Sequence, residues 1–394
     1  MKIAISGAGI AGPTLAFWLH RSGHEVTLIE KAPCLRGGGY MIDFWGVGYA
    51  VAERMGILGA VLEAGYPVRE IRLLDRRGRK VGGFSADVFR RMTDGHFTSL
   101  PRGDLARIAY AAVENRVESI FDDSIRGLDE HASGVRVALA HGVERDFDLV
   151  IGTDGLHSSV RTQVFGRQAR FEKPLGYRVA AFTVAGYRPR HELVYVSYSV
   201  PGRQVARFAM RHDRTMFLFV FRADLVRDAQ ADNATDCKAQ LRDVFADAGW
   251  ECPRILDEME AVDELYFDRV SQIRMQAWSK GRVMLLGDAA ACVSLLAGEG
   301  SGLAMTEAYV LAGELQRARG DYREAYCRCE DRLRPFIAQK QAAAVNFAAA
   351  FAPATATGVW IRNFISKLLD FRPLADRFVG RDLRDDFDLP DYDM

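Results

Sequence analysis

Lys2-Ile3-Ala4-Ile5-Ser6-Gly7-Ala8-Gly9-Ile10-Ala11-Gly12 opens the chain, and Leu15, Leu19 and His20 continue it at helical spacing as far as Gly23. An apolar run, a GxGxxG loop and an amphipathic stretch predict strand, tight turn and helix. In such a unit the first glycine permits the turn, the second lets a pyrophosphate approach the backbone, and the third lets helix and strand pack closely. The first N–H groups of the helix then face the phosphates. Pro13 stands in the first turn, where a missing N–H costs least. Beyond Gly23, His24 to Ile29 predicts a second strand that ends at Glu30, where a carboxylate accepts hydrogen bonds from an adenosine ribose and would repel a 2′-phosphate. The unit predicts a dinucleotide site and leaves NAD and FAD open.

Two later segments repeat the pattern of a buried strand running into Gly or Asp. Phe147 to Gly152 ends in Thr153-Asp154-Gly155-Leu156-His157-Ser158-Ser159-Val160-Arg161. Gly281 to Leu286 ends in Gly287-Asp288-Ala289-Ala290, and Gly298-Glu299-Gly300-Ser301-Gly302 then leads into a helix from about Leu303 to Leu315. Three strands thus end over one ligand edge. Asp288 after a wholly apolar strand needs partners, because an ionised carboxylate is costly to bury alone. Read on their own, Asp154 also suits a helix cap, Arg102 in Leu100-Pro101-Arg102-Gly103-Asp104-Leu105 a surface base, His157 a turn residue, and Glu299 an acid favoured by a helix N-terminus.

Taken in order, from residue 2 to about 315, the three motifs resemble those of the single-component flavoprotein aromatic hydroxylases, the group of para-hydroxybenzoate hydroxylase and of the tetracycline-inactivating monooxygenases. The resemblance implies non-covalent FAD held by Gly7, Gly9, Ala11 and Gly12, with Glu30 on the adenosine ribose and Asp288, beside Gly287, on the ribityl chain. It implies Asp154 on the pyrophosphate side, Arg102 against the flavin, and Arg36 and Asp43 facing the flavin or nicotinamide. Gly298, Gly300 and Ser301 would bring a helix N-terminus to the negative charge of reduced flavin. NADPH or NADH would bind transiently, and oxygen would form a flavin hydroperoxide that hydroxylates a small aromatic or polycyclic compound. A reductase or dehydrogenase of the same fold, without oxygen transfer, is the alternative. The loop departs from the family's usual residues: Ala291, Ser294-Leu295 and Gly302 replace His, Pro and Asn, and Glu307 replaces Asp.

Between the motifs, Leu193–Val200, Val205–Arg211 and Met216–Arg222 alternate like antiparallel strands. Residues 71–100 are expected to add strands to that sheet, residues 234–262 to be helical, and Leu265–Met275 to return to the Gly-Asp strand. Phe217, Phe219 and Phe221 share one face of the sheet and Met216, Leu218 and Val220 the other. The phenylalanines are the candidate aromatic wall of the substrate pocket. No catalytic acid or base is assigned.

The fold class expected is α/β, a doubly wound, Rossmann-like FAD-binding domain (1–70, 101–170 and 277–335) with an inserted, mainly antiparallel substrate domain (71–100 and 171–276). C-terminal helices and a poorly ordered acidic tail, Arg381 to Met394, complete it (336–394).

Composition narrows the function. With 394 residues, 49% of them hydrophobic, the chain is long enough for two or three domains with a large core. Its 52 basic and 52 acidic residues cancel, which argues against nucleic acid as a partner. The 6 cysteines form no CxxC, and Cys327 and Cys329 fall on different faces of a helix, so neither a metal site nor a disulfide scaffold is expected. The early Gly7 leaves no room for a signal peptide's apolar core, and a cytoplasmic monomer or homodimer is the expectation. Gln341 to Ile361 carries no charge but contains Pro353 and is rich in Ala, which predicts packed helices broken near that proline rather than a membrane span.

Overall fold

A computed structural model describes residues 1–35, 37–226, 234–370 and 385–394. At the centre of its six-stranded sheet lies Lys2–Ser6, with Leu149–Gly152 and Val283–Leu285 successively on one side and Glu25–Ile29 and Glu118–Ile120 on the other. All these pairs are parallel, and only the short edge strand Ser279–Lys280 runs antiparallel. Ile3, Ile5, Leu149, Ile151, Met284 and Leu285 are fully buried. Near-continuous apolar runs are what parallel strands need when helices cover both faces. The register also aligns the strand ends: Thr153 N–H donates to the Ser6 carbonyl and Leu286 N–H to that of Gly152. The three glycine- and aspartate-bearing turns therefore emerge side by side.

A seven-stranded sheet stands beside it, in the order Tyr266–Ile273, Glu172–Ala185, Arg214–Arg222, Arg203–Met210, Val194–Val200, Glu70–Leu74, Lys80–Ser85. It is antiparallel except where Val194–Val200 meets Glu70–Leu74. Of the strands expected within residues 71–100, Phe97–Pro101 does not join it. It pairs instead with Met41–Trp45 and sets Ser99 opposite Asp43. The helices Ala234–Phe245 and Cys252–Glu260 pack through Leu241, Phe245, Ile255 and Met259 onto one face of the seven-stranded sheet. Ile125–Glu130, Val135–Leu139 and Glu144–Phe147 form a further small antiparallel sheet that the hydrophobic pattern did not reveal.

At the C-terminal end, helix Tyr322–Phe351 stops before Pro353, and Thr355 caps the next helix, Ala356–Leu368, by accepting from the Gly358 N–H. Among the described residues no helix is long and apolar enough to cross a membrane. The expected loose tail is corrected over 385–394. Tyr392 is buried, donates to Glu314 at 2.6 Å and meets the Tyr309 ring edge-on, while Phe387 stacks on Phe336. The Pro390, Asp391 and Asp393 carbonyls accept from Tyr309, Arg317 and Gln316. Acidity suggested solvation, but the aromatic anchors and paired carbonyls outweigh it.

Candidate functional site

Steric crowding fixes the opening loop. Gly7 has φ +106, and a Cβ there would lie 2.7 Å from the Thr153 carbonyl oxygen. A Cβ on Gly12 would lie 2.0 Å from the Gly7 carbonyl oxygen. The second turn thus helps to shape the first, and Thr153 Oγ1 clamps them by donating to the Ser6 and Gly7 carbonyls at 2.8 and 2.9 Å. Ala11 and Gly12 begin the helix Ala11–Arg21. Glu30 accepts from the Ala8 N–H at 2.8 Å and the Ala32 N–H at 2.9 Å, so its carboxylate braces the loop while both oxygens keep lone pairs for hydroxyl donors.

Gly9 is open, and what approaches it is Arg102, whose Nη2 would lie 3.8 Å from a Cβ at that position. The guanidinium makes no side-chain hydrogen bond or ion pair with any described residue, although its backbone N–H is tied to the Tyr40 carbonyl. A half-buried cation beside a glycine cradle, with no protein partner, fits the anionic diphosphate of FAD. Arg36 lies outside the described residues. Asp154 takes its alternative role: its carboxylate accepts from the N–H groups of Ser159 and Val160 and from the Ser158 and Ser159 hydroxyls, capping helix Ser159–Val164. The capping carboxylate stands beside the opening loop, the Asp154 Cα being 2.9 Å from where a Gly7 Cβ would lie. His157 sits in the exposed turn and pairs with Asp268 at 3.0 Å, which raises its pKa and joins the turn to the second sheet.

Gly287, with φ +60, turns the chain into Asp288. Asp288 faces the start of helix Gly300–Arg317, its Oδ1 being 3.8 Å from where a Gly300 Cβ would stand. Ser301 lies in that first turn, and Gly298 closes the preceding 3₁₀ turn in the left-handed conformation. Glu307, the substitute for the family's Asp, is 2% exposed and accepts from the Gly287 N–H at 2.6 Å. Burial pushes its carboxyl up to about 8. Glu299 pairs with Lys340, which also meets Asp385 at 2.7 Å; Asp385 in turn accepts from the Val47 N–H.

Asp43 borders the same cleft from the two-stranded ribbon, accepting from Ser99 Oγ. Burial pushes its pKa up to about 6 against that hydrogen bond. Sequence reasoning missed Tyr40 and Tyr266, whose rings lie 5.6 Å apart. Their phenols are raised by burial, and Arg102, Asp288 and Asp268 are among the charges around both. An aromatic at a strand edge gives no local sign of what it will face.

The phenylalanine wall is corrected. Phe217, Phe219 and Phe221 are 0% exposed and lie against Phe182, Phe245 and the two covering helices. It is the opposite face that turns toward the cleft. There Val220 and half-buried Leu218 meet Leu295 and Leu296 of the altered loop, with Tyr177 and Tyr266 nearby, and Met216 reaches the cluster containing Tyr40. Alternation had shown two faces, but only the covering helices decide which one is sealed. Among the described residues no group of side chains suits a metal ion.

The chain matches the FAD binding domain family over residues 1–323. It is 37% identical over 355 residues to an uncharacterized protein of Mycobacterium tuberculosis, covering 86% of this chain and 91% of that one. It is 34% identical over 352 residues to a flavin-dependent monooxygenase of Legionella longbeachae, covering 86% and 87%. The crystal structure of tetracycline destructase Tet(51) superposes with a TM-score of 0.84 at 30% identity, covering 99% of each chain.

Proposed function

The chain belongs to the FAD binding domain family and is an FAD-dependent monooxygenase of the aromatic-hydroxylase type, and from that premise we propose that it uses NADPH or NADH to hydroxylate a small aromatic or polycyclic compound. The carrying observation is which face of the sheet stays open: the one turned to Leu295 and Leu296 carries Val179, Val220 and half-buried Leu218 and is bordered by Tyr40, Tyr177 and Tyr266. A flat ring system gains offset and edge contacts there. Similarity to a tetracycline destructase supports the polycyclic end of that range.

FAD held there would supply the redox chemistry that couples NAD(P)H oxidation to oxygen, one oxygen atom going to the substrate and the other leaving as water. The protein's part is positioning. Glu30, the loop N–H groups and Arg102 would hold the dinucleotide, Asp288 its ribityl hydroxyls, and the N-terminus of helix Gly300–Arg317 the charge of the reduced ring. The single glycine loop fits a nicotinamide nucleotide that comes and goes. Leu295, Leu296 and the sheet face exclude water and orient the substrate.

The test is a mass-shift screen. The purified yellow protein is mixed with NADPH or NADH and a panel of phenols, aryl acids and fused-ring compounds, and oxygen uptake is followed alongside. A compound gaining one oxygen atom with matching uptake is the expected result. NAD(P)H oxidation that no compound couples to oxygen transfer would return the chain to the reductase reading.

A further inference from the structure

The cleft-facing side of the seven-stranded sheet changes in character across its rows. Ala181, Leu218, Ala206 and Ser197 form one row. On one side of it stand Thr183, Met216 and Phe208, and on the other Val179, Val220, Gln204 and Ser199. Leu218 and Ala206, in the middle row, are partly exposed.

The polar end of that face is built around Arg362, on helix Ala356–Leu368. Its Nη1 donates to Gln204 Oε1 at 3.0 Å and to the Phe351 carbonyl. Its Nη2 donates to Ser199 Oγ at 3.1 Å and to Asn363 Oδ1, which also takes the Nε proton. Every acceptor is neutral. No carboxylate among the described residues pairs with this guanidinium, and burial alone brings its pKa down to about 10. A desolvated cation whose partners among the described residues are all neutral is costly, and a negative charge is favoured at this corner.

Gln204 transmits that preference. Arginine offers only donors, so the amide must present its oxygen to Arg362, an orientation that Ser199 Oγ–H also favours. The –NH2 end therefore points away from Arg362, and no described residue accepts from it although Gln204 is only 6% exposed. One step along the same face, the Ser197 hydroxyl is buried without a partner. We propose that this corner is a substrate subsite for an anionic oxygen, a carboxylate or enolate, bound by the Gln204 amide N–H, with Arg362 as the positioning residue that fixes the amide and supplies the charge. The inference rests on the reading of this cleft as the substrate site and narrows the substrate to compounds that carry an ionised oxygen.

Matched probes test it by calorimetry on the holoenzyme, without nucleotide or turnover: salicylate against salicylamide, and a hydroxynaphthoate against its amide. The acid is expected to bind about tenfold more tightly than the amide, as one charge-assisted hydrogen bond allows. Arg362→Gln and Gln204→Leu should each bring that ratio close to one. Gln204→Glu should reverse it, because the new carboxylate takes the Arg362 charge and repels anions. If Arg362 only ties the helix to the sheet, its variants lower the melting temperature and weaken both probes equally, which overturns the proposal. An acid that binds no better than its amide in the parent protein, including no binding of either pair, also overturns it. Failure of the monooxygenase reading would look different: no aromatic compound would couple NAD(P)H oxidation to oxygen transfer, whatever the binding ratios.

Discussion

Replacing Glu307 by glutamine should change how stability depends on pH. The carboxyl is fully enclosed, and its bond from the Gly287 N–H holds the turn that presents Asp288. Burial is the main cause of its raised pKa, the Gly287 N–H opposes it, and the Asp288 charge adds to it. The ordinary value is 4.5 and the folded value about 8, so the acid stays protonated in the fold over a range where the unfolded chain has ionised it. Its contribution is fully present below the unfolded value and is lost as pH rises through the folded one. At about 1.4 kcal/mol per unit, the two units between about pH 6 and 8 remove roughly 2–3 kcal/mol as a ceiling. Glu307→Gln keeps a carbonyl acceptor for Gly287 and cannot ionise. Measured by thermal melting of the holoenzyme, the variant should gain on the parent by about 3–5 °C across that window, and parent FAD retention should decline with rising pH as the turn loosens. Parallel melting curves for the two proteins would refute the assignment of this carboxyl as neutral.

Neighbouring residues on opposite faces should fail in opposite ways. Phe219→Ala, in a site 0% exposed, is expected to lose about 3–5 kcal/mol of stability and to leave the coupling of NAD(P)H oxidation to product unchanged. Leu218→Ala should barely move the melting temperature but increase hydrogen peroxide release per turnover; the reverse pattern would place the pocket on the other face. Arg102→Gln should weaken FAD by about 1–3 kcal/mol, the cost of a lost charge-assisted bond, as read by flavin titration of the apoprotein, and unchanged affinity would remove Arg102 from the cradle.

What could be read from the sequence was whatever is local. Gly7, Gly12 and Glu30 stand within one strand-turn-helix-strand unit, where spacing alone fixes geometry, and Gly287-Asp288 follows a strand too apolar to be misread. Asp154 shows the limit, because a carboxylate at a turn is equally suited to a ligand or to the helix behind it, and here its Oδ2 accepts from the first N–H groups of the helix while its Oδ1 accepts from the Ser158 hydroxyl. Tyr40, Tyr266 and the Gln204–Arg362 pair depend on contacts between distant segments, for which no pattern within a window speaks. The face of Phe217, Phe219 and Phe221 was undecided for the same reason: the helices that seal it come later in the chain. In the tail, net charge suggested solvent, whereas Tyr392 and Phe387 were the residues that decided its position.

The bond from the Val47 N–H to Asp385 joins residues 338 positions apart. Asp385 also sits where a side chain on Gly46 would stand, 1.9 Å from such a Cβ, so the segment 385–394 closes over the start of helix Gly46–Arg54. During synthesis that helix leaves the ribosome long before the residue that caps it. The central strand Lys2–Ser6 likewise waits for Leu149–Gly152, and that strand in turn for Val283–Leu285. At about 5–20 residues per second, the early part of the flavin half spends tens of seconds with open edges and an uncapped helix. Its assembly is therefore dominated by long-range closures, which are slow.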